Sequence, residues 1–305
     1  MQQLIRIGTR ESQLAVWQAT RVKELLAKHG FNSKLVLIKS EGDIDLVTPL
    51  YEMGVQGIFT RSLDIALLNN KIDLAVHSMK DVPTQLAQGL VQSAVLKRAS
   101  YKDLLVYKGS TDFLNNFQSS AVIATSSIRR KAQWLHRYPN HTIEVLRGNV
   151  NTRLRKVTES NWNGAIFAAA GLERINLRPE NSIELNWMLP APAQGAIMMV
   201  CREKDDFCLQ ACSNFNDTAT ALCTKIERDF LRCLLGGCST PISALAEIKN
   251  GELHFRGNIF SPDGKEKAEI ALNCPVNECG NNFGTSAAQQ ILQKGADSIV
   301  ESIRK

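Results

Sequence analysis

Strand-like and helix-like patterns alternate through the first two thirds of the chain. Ile5 to Gly8 alternates as a strand, and from Ser12 the apolar positions Leu14, Trp17, Val22, Leu25 and Leu26 keep helical spacing until Gly30 supplies a stop. Lys34 to Ser40 predicts the next strand, Ile58 to Leu68 a helix and Asp73 to Ser78 a strand. A second unit of the same kind begins near residue 102. Its strands are expected at Ala121 to Ala124, Ile143 to Leu146 and Ala165 to Ala169, with helices over 128–138 and 149–159. Such alternation predicts an α/β architecture with mainly parallel sheets.

After Pro190-Ala191-Pro192-Ala193-Gln194-Gly195, the run Ala196 to Val200 reads as a strand returning to the first unit, which makes the first domain discontinuous. A helix from about Thr218 leads to Cys238. Segments 242–248, 252–260 and 267–273, joined by Asn250-Gly251 and Pro262-Asp263-Gly264, have the pattern of hairpins, and Ser286 to Arg304 returns to helical spacing. The expected organisation is domain 1 over 1–98 with 196–214, domain 2 over 102–191, both α/β, and a small α+β domain 3 over 218–305.

Composition narrows the class. A chain of 305 residues with 44% hydrophobic and 22% charged residues fits a soluble globular protein of roughly two domains. The start lacks the apolar core of a signal peptide, and no apolar run approaches the roughly 20 residues of a membrane span, so a cytoplasmic protein without a membrane partner is expected. All eight cysteines follow residue 200. None forms a Cys-x-x-Cys pair, and His254 is the only histidine near them, so no metal site is expected. The formal net charge of +6 suits either nucleic acid or an anionic small molecule, and the placement of the arginines decides between them.

Three places set hydroxyls, amides and basic groups just past a strand and at a helix start: Thr9-Arg10-Glu11-Ser12, Thr125 to Arg130, and Arg147 to Arg153. Free amides and the macrodipole favour an anion there, although any one of these sites alone serves equally as an ordinary N-cap. Arginine in a first turn opposes the dipole, so Arg129, Arg130 and Arg153 make better sense facing an anion. With no phosphate-binding glycine motif, and with guanidinium forks matched to carboxylates, a polycarboxylate is the expected cargo. Nucleic acid would call for a basic stripe interleaved with aromatics, which make up only 6% of the chain.

Two further residues carry chemistry. Val76-His77-Ser78-Met79-Lys80-Asp81-Val82-Pro83 leaves a buried-looking strand, which sets Asp81 at the carboxyl edge of a sheet, where open α/β folds bind ligands. Beside Lys80, that acid suits proton transfer or stabilisation of a cation; a turn-forming or ion-paired Asp is the alternative. His77 is expected to face the interior. Leu234-Leu235-Gly236-Gly237-Cys238-Ser239-Thr240-Pro241 projects one thiol from a loop where paired glycines let another molecule approach.

Together these residues resemble the porphobilinogen deaminase family. The motifs are Ile7 to Arg10, Val76 to Pro83, Thr125 to Arg130, Leu146 to Val150, Ala170 to Leu172, Pro192 to Gly195 and Gly236 to Cys238, in the family's order over essentially the whole chain. The resemblance implies a transferase that joins four porphobilinogen molecules head to tail, releasing ammonia, into hydroxymethylbilane. It implies two domains like those of bilobal periplasmic binding proteins flanking a cleft, a small third domain, and a monomer acting on a small molecule. It also implies a dipyrromethane cofactor held as a thioether on Cys238, with Asp81 as the catalytic acid. Cofactor and substrate contacts then fall to Arg10, Ser12, Gln18, Ser78, Lys80, Thr125, Ser127, Arg129, Arg130, Arg147, Asn149, Arg153, Arg174 and Gln194. Gln56 and Glu41 stand where the family usually carries basic residues, and Thr240 where valine is common. A non-catalytic bilobal anion binder would share the arginines and need neither Cys238 nor Asp81.

Overall fold

A computed structural model describes residues 3–39, 60–234 and 240–304. Ser12 caps the first helix through its hydroxyl, and His29 followed by Gly30 in the left-handed region ends it. The first lobe contains β1 (Ile5–Thr9), α1 (Gln13–Lys28), β2 (Ser33–Leu37), α2 (Arg61–Leu68), β3 (Leu74–Ser78) and β4 (Leu90–Val95). The second contains β5 (Asp103–Tyr107), β6 (Val122–Ala124), α3 (Ile128–Arg137), β7 (Thr142–Glu144), α4 (Val150–Glu159), β8 (Gly164–Ala168), α5 (Ala169–Glu173) and β9 (Ser182–Glu184). There follow β10 (Ile197–Arg202), α6 (Asp206–Ser213), α7 (Thr218–Leu234), β11 (Ile242–Lys249), β12 (Glu252–Phe260), β13 (Lys267–Pro275), α8 (Phe283–Ile291) and α9 (Asp297–Arg304).

The two lobes share one topology. Among the described residues the strand orders are β2-β1-β3-β10-β4 and β7-β6-β8-β5-β9. Each sheet is parallel except for one strand: β10 runs against β3 and β4, and β5 runs against β8 and β9. The expectation of mainly parallel sheets therefore meets one reversed strand per lobe. The physical reason is connectivity, since β5 enters from the first lobe and β10 returns to it, so neither follows a crossover helix of its own lobe. Apolar clusters cover both faces of each sheet, as an α/β layer requires.

The antiparallel sheet β11-β12-β13 buries one face against α7, α8 and α9, around Phe230, Phe255 and Ile259. The single helix expected from Ser286 to Arg304 is broken, because Lys294 and Gly295 leave helical geometry, Gly295 with φ +95°. No described helix is long and apolar enough to cross a membrane. Two crossings join the lobes and hydrogen-bond to each other, the Ala99 N–H donating to Gly195 O at 3.1 Å. Gly195 has φ +88°, and a Cβ there would stand 2.7 Å from the carbonyl oxygens of both Ala99 and Ser100, so the crossing requires glycine.

Candidate active site

In the first lobe the polar residues gather at the carboxyl ends of β1 and β3. Ser12 accepts the Ala15 N–H at 3.4 Å, and Arg10 lies half-buried just before it. Gln18 is buried on the inner face of α1 and donates Nε2 to Ser78 Oγ at 2.9 Å. Beyond Ser78 the chain makes one 3-10 turn, Met79–Asp81. The Lys80 ammonium reaches Gln194 Oε1 at 3.4 Å. Burial, reinforced by Arg130 and Arg129 against the opposing pull of Asp81, pushes Lys80 down to about 8. The Asp81 side chain is half-buried, and among the described residues no hydrogen bond or ion pair ends on its carboxylate. His77 faces the interior as expected; burial and then Arg10 push it down to about 4.

In the second lobe Ser127 caps α3 and its N–H is bonded by Thr125 Oγ1 at 3.2 Å; Asn149 caps α4 by accepting the Thr152 N–H at 2.9 Å. Gly148, at φ +110°, turns the chain into α4. Arg129 and Arg130 are buried, and the anion in front of them is internal. Asp103 Oδ2 accepts Arg129 Nη2 at 2.8 Å, and its Oδ1 accepts Arg130 Nη2 at 2.7 Å, Arg130 Nε at 3.1 Å and Gln194 Nε2 at 2.9 Å. Arg129 Nη1 donates to the Leu189 carbonyl and Arg130 Nη1 to the Ile166 carbonyl, while the buried Arg129 Nε has no hydrogen-bond partner among the described residues. Burial alone would raise the Asp103 carboxyl; the two guanidiniums outweigh it and hold the group well below the usual carboxylate range.

Asp103, Gln194 and Lys80 thus form one polar chain from the second lobe to the first. Around it the cations crowd. Arg153 donates Nε to Gly148 O at 2.7 Å; burial and then Arg130, Arg147 and Arg10 push it down to about 10, with Asp81 pulling the other way. These mutual influences bring Arg10, Lys80, Asp81, Arg130, Arg147 and Arg153 into one neighbourhood although they lie on four separate segments. Arg174 stands at the cleft's side, donating to Gly195 O at 2.6 Å with its guanidinium 5.9 Å from the Trp17 ring centroid. Asn151 Nδ2 donates to Gln13 Oε1 at 2.9 Å, which links α4 to α1 across the lobes.

Several residues that hold this arrangement carried no sequence motif. Asp103 begins an ordinary buried strand. Glu227, fully buried on α7, accepts both Arg98 Nη groups and the N–H groups of Ala193 and Ala246, tying the third domain to the crossing. One signal was available: Glu227 stands at helical spacing among Cys223, Phe230, Leu231 and Leu234, an acid on an apolar stripe. Arg228, beside it, donates to carbonyls of the Met79–Pro83 segment. Cys238, Gln56 and Glu41 lie outside the described residues. A groove of 690 Å³ between α3 and the β12–β13 face, near Trp187 and Phe260, contains none of the strand-end residues.

Residues 5–210 match the family model described as "Porphobilinogen deaminase, dipyromethane cofactor binding domain", and residues 221–293 that described as "Porphobilinogen deaminase, C-terminal domain". Porphobilinogen deaminase of Chlorobium phaeobacteroides (strain BS1) is 39% identical, covering 100% of this chain and 99% of that protein. A probable porphobilinogen deaminase of Methanocaldococcus jannaschii is 42% identical, covering 90% of this chain and 94% of its own. Among solved structures, a periplasmic binding protein of Salmonella typhimurium with high arginine specificity aligns at a TM-score of 0.40 and 10% identity, over 72% of this chain and 94% of that one.

Proposed function

The chain belongs to the porphobilinogen deaminase family, and from that premise we propose that Asp81 is its catalytic acid, Cys238 its covalent attachment point and the cleft arginines its carboxylate ligands. The enzyme is a transferase of porphyrin biosynthesis that joins four porphobilinogen molecules head to tail, with release of ammonia, into hydroxymethylbilane on a dipyrromethane cofactor.

The cleft residues fit that cofactor. A site in which Arg130, Arg147 and Arg10 hold Arg153 down to about 10, after burial, is crowded with cations and receptive to anions, and each pyrrole brings an acetate and a propionate. When bound, the dipyrromethane supplies the primer for chain growth. Cys238 would hold it by a thioether, which lacks an easily hydrolysed acyl bond. Arg10, Arg147, Arg153 and Arg174 are proposed as carboxylate partners, with Ser12, Gln18, Ser78, Thr125, Ser127, Asn149 and Gln194 as polar contacts. Arg129 and Arg130 remain in the set through their field: two guanidiniums against the single Asp103 leave net positive charge at the cleft, to which Lys80 adds.

The observation that carries the proposal is the Asp81 carboxylate, which has no hydrogen-bonding partner among the described residues while standing amid cations at the strand ends. Loss of ammonia from the substrate's aminomethyl group, and attack on the resulting methylene-pyrrolenine, both develop positive charge on pyrrole nitrogen. A carboxylate uncommitted to the protein is available to stabilise that charge and to move a proton. Asp81→Asn preserves shape and removes the anion, so turnover should fall by about 10²–10³-fold with the fold intact, and Asp81→Glu should retain more. Near-normal product formation by the Asn variant would remove Asp81 from this role.

The proposal extends to a cytoplasmic monomer acting on a small molecule and on neither nucleic acid nor a membrane, because the arginines converge on one cleft rather than lining an exposed stripe. The division into 1–98 with 196–214, 102–191 and 218–305 is proposed on the same footing, supported by sheet membership.

A further inference from the structure

Arg228 lies on α7, outside the lobe that carries Asp81, yet its guanidinium reaches into that lobe. Nη1 donates to Met79 O at 3.3 Å and to Val82 O at 2.9 Å, and Nη2 donates to Pro83 O at 2.5 Å. One planar fork therefore gathers carbonyls from both sides of Asp81. Within the same turn the Met79 N–H donates to Ala196 O at 3.1 Å, the Val82 N–H to Met79 O at 3.2 Å and the Lys80 ammonium to Gln194 Oε1 at 3.4 Å. Since the Asp81 carboxylate has no partner in the protein among the described residues, its location is inherited from this backbone.

The helix that supplies the fork is itself anchored. Glu227, the residue before Arg228, is fully buried and holds the Ala193 and Ala246 N–H groups at 2.6 and 2.7 Å as well as Arg98. Past Arg228 the same helix runs to Leu234, and the chain continues from there to Cys238. We infer that Arg228 is a positioning residue for Asp81, locking the Met79–Pro83 turn to the helix that leads to the attachment thiol. The inference rests on the reading of Asp81 given above. Lysine cannot replace the fork, because a single ammonium cannot span three carbonyls with the same planar geometry.

The test is a double-mutant cycle on the primer-loaded enzyme, with the single-turnover rate of the first elongation as readout and intact mass as the check on loading. Arg228→Gln should slow that step by roughly 10–100-fold with the primer present, since misplacement of a reacting group by about 1 Å costs that order. On an Asp81→Asn background the same substitution should cost almost nothing more, because the group it positions has already lost its charge. Multiplicative losses in the double variant, or an unchanged rate in Arg228→Gln with only a lower melting temperature, would overturn the positioning role. If Arg228→Gln does not fold, Arg228→Lys is read in the same cycle, with an intermediate loss that again vanishes on Asp81→Asn. Full activity of Asp81→Asn alone would instead overturn the assignment of Asp81, so the two failures are distinguishable.

Discussion

Asp103→Asn should be among the most destabilising single changes in the protein. The wild-type carboxylate is fully buried and accepts four hydrogen bonds, three from Arg129 and Arg130 and one from Gln194, at 2.7–3.1 Å. An asparagine keeps the shape but removes the charge and turns a donor toward guanidiniums that can only donate. Removing one partner of a buried ion pair costs about 3–5 kcal/mol, and here two buried cations are left at once, so about 4 kcal/mol is a reasonable expectation. That corresponds to a melting temperature lower by on the order of 10 °C. Arg130→Leu should cost less, since it leaves Arg129 and Asp103 as a one-to-one pair. The pH dependence has a definite sign. Because the folded-state carboxyl lies below its unfolded value of about 3.9, its contribution is complete above that value and is lost as the pH falls below it. Urea unfolding followed by circular dichroism at several pH values should therefore show a gap between wild type and variant that is constant from about pH 8 to 5 and narrows below about pH 4. A loss under about 1 kcal/mol, or a gap that widens in acid, would refute the assignment of Asp103 as the charge that holds the two arginines.

Cys238→Ser should yield a protein whose intact mass lacks the two linked pyrrole units, while serine at any other cysteine leaves them in place. Burial pushes Cys201 up to about 11 and Cys212 and Cys223 up to about 12, which makes them poor nucleophiles, and peptide mapping that found the adduct on one of them would contradict the proposal. Lys80→Met should lose activity yet melt higher than wild type at pH 7. Lys80 is held down to about 8 against about 10.4 unfolded, so its buried charge costs stability below pH 8, and the advantage of Met should shrink between pH 8 and 10; equal melting curves at pH 7 would count against it. Gly195→Ala should cost on the order of 2–3 kcal/mol through positive φ and contact with the Ala99 and Ser100 carbonyls, and a neutral result in thermal melts would mean that the crossing relaxes freely.

Much of this protein was legible along the chain because the determining signals are local. Ser12, Ser127 and Asn149 stand where helix caps must stand, and the structure uses each as a cap. The apolar periods of α1, α3, α4 and the β11–β13 hairpins follow from side-chain direction, which needs no knowledge of the partner surface. Asp81 was readable because a strand that ends at an acid before a proline puts that acid at a sheet edge. What the sequence left open is where distant segments meet. Arginines in the first turn of α3 oppose the helix dipole and call for an anion in front of them, and folding places Asp103 there, from a strand of the same lobe. Gln194 stood in a turn motif without showing that it would link Lys80 to Asp103, and Glu227 as the anchor of α7 and Arg228 as the clamp on the Met79–Pro83 turn have no local signature beyond a charge on a helix. Local propensity fixes which groups a segment presents, whereas the partner of a buried charge is chosen by desolvation, and desolvation exists only once the lobes and the third domain have closed around it.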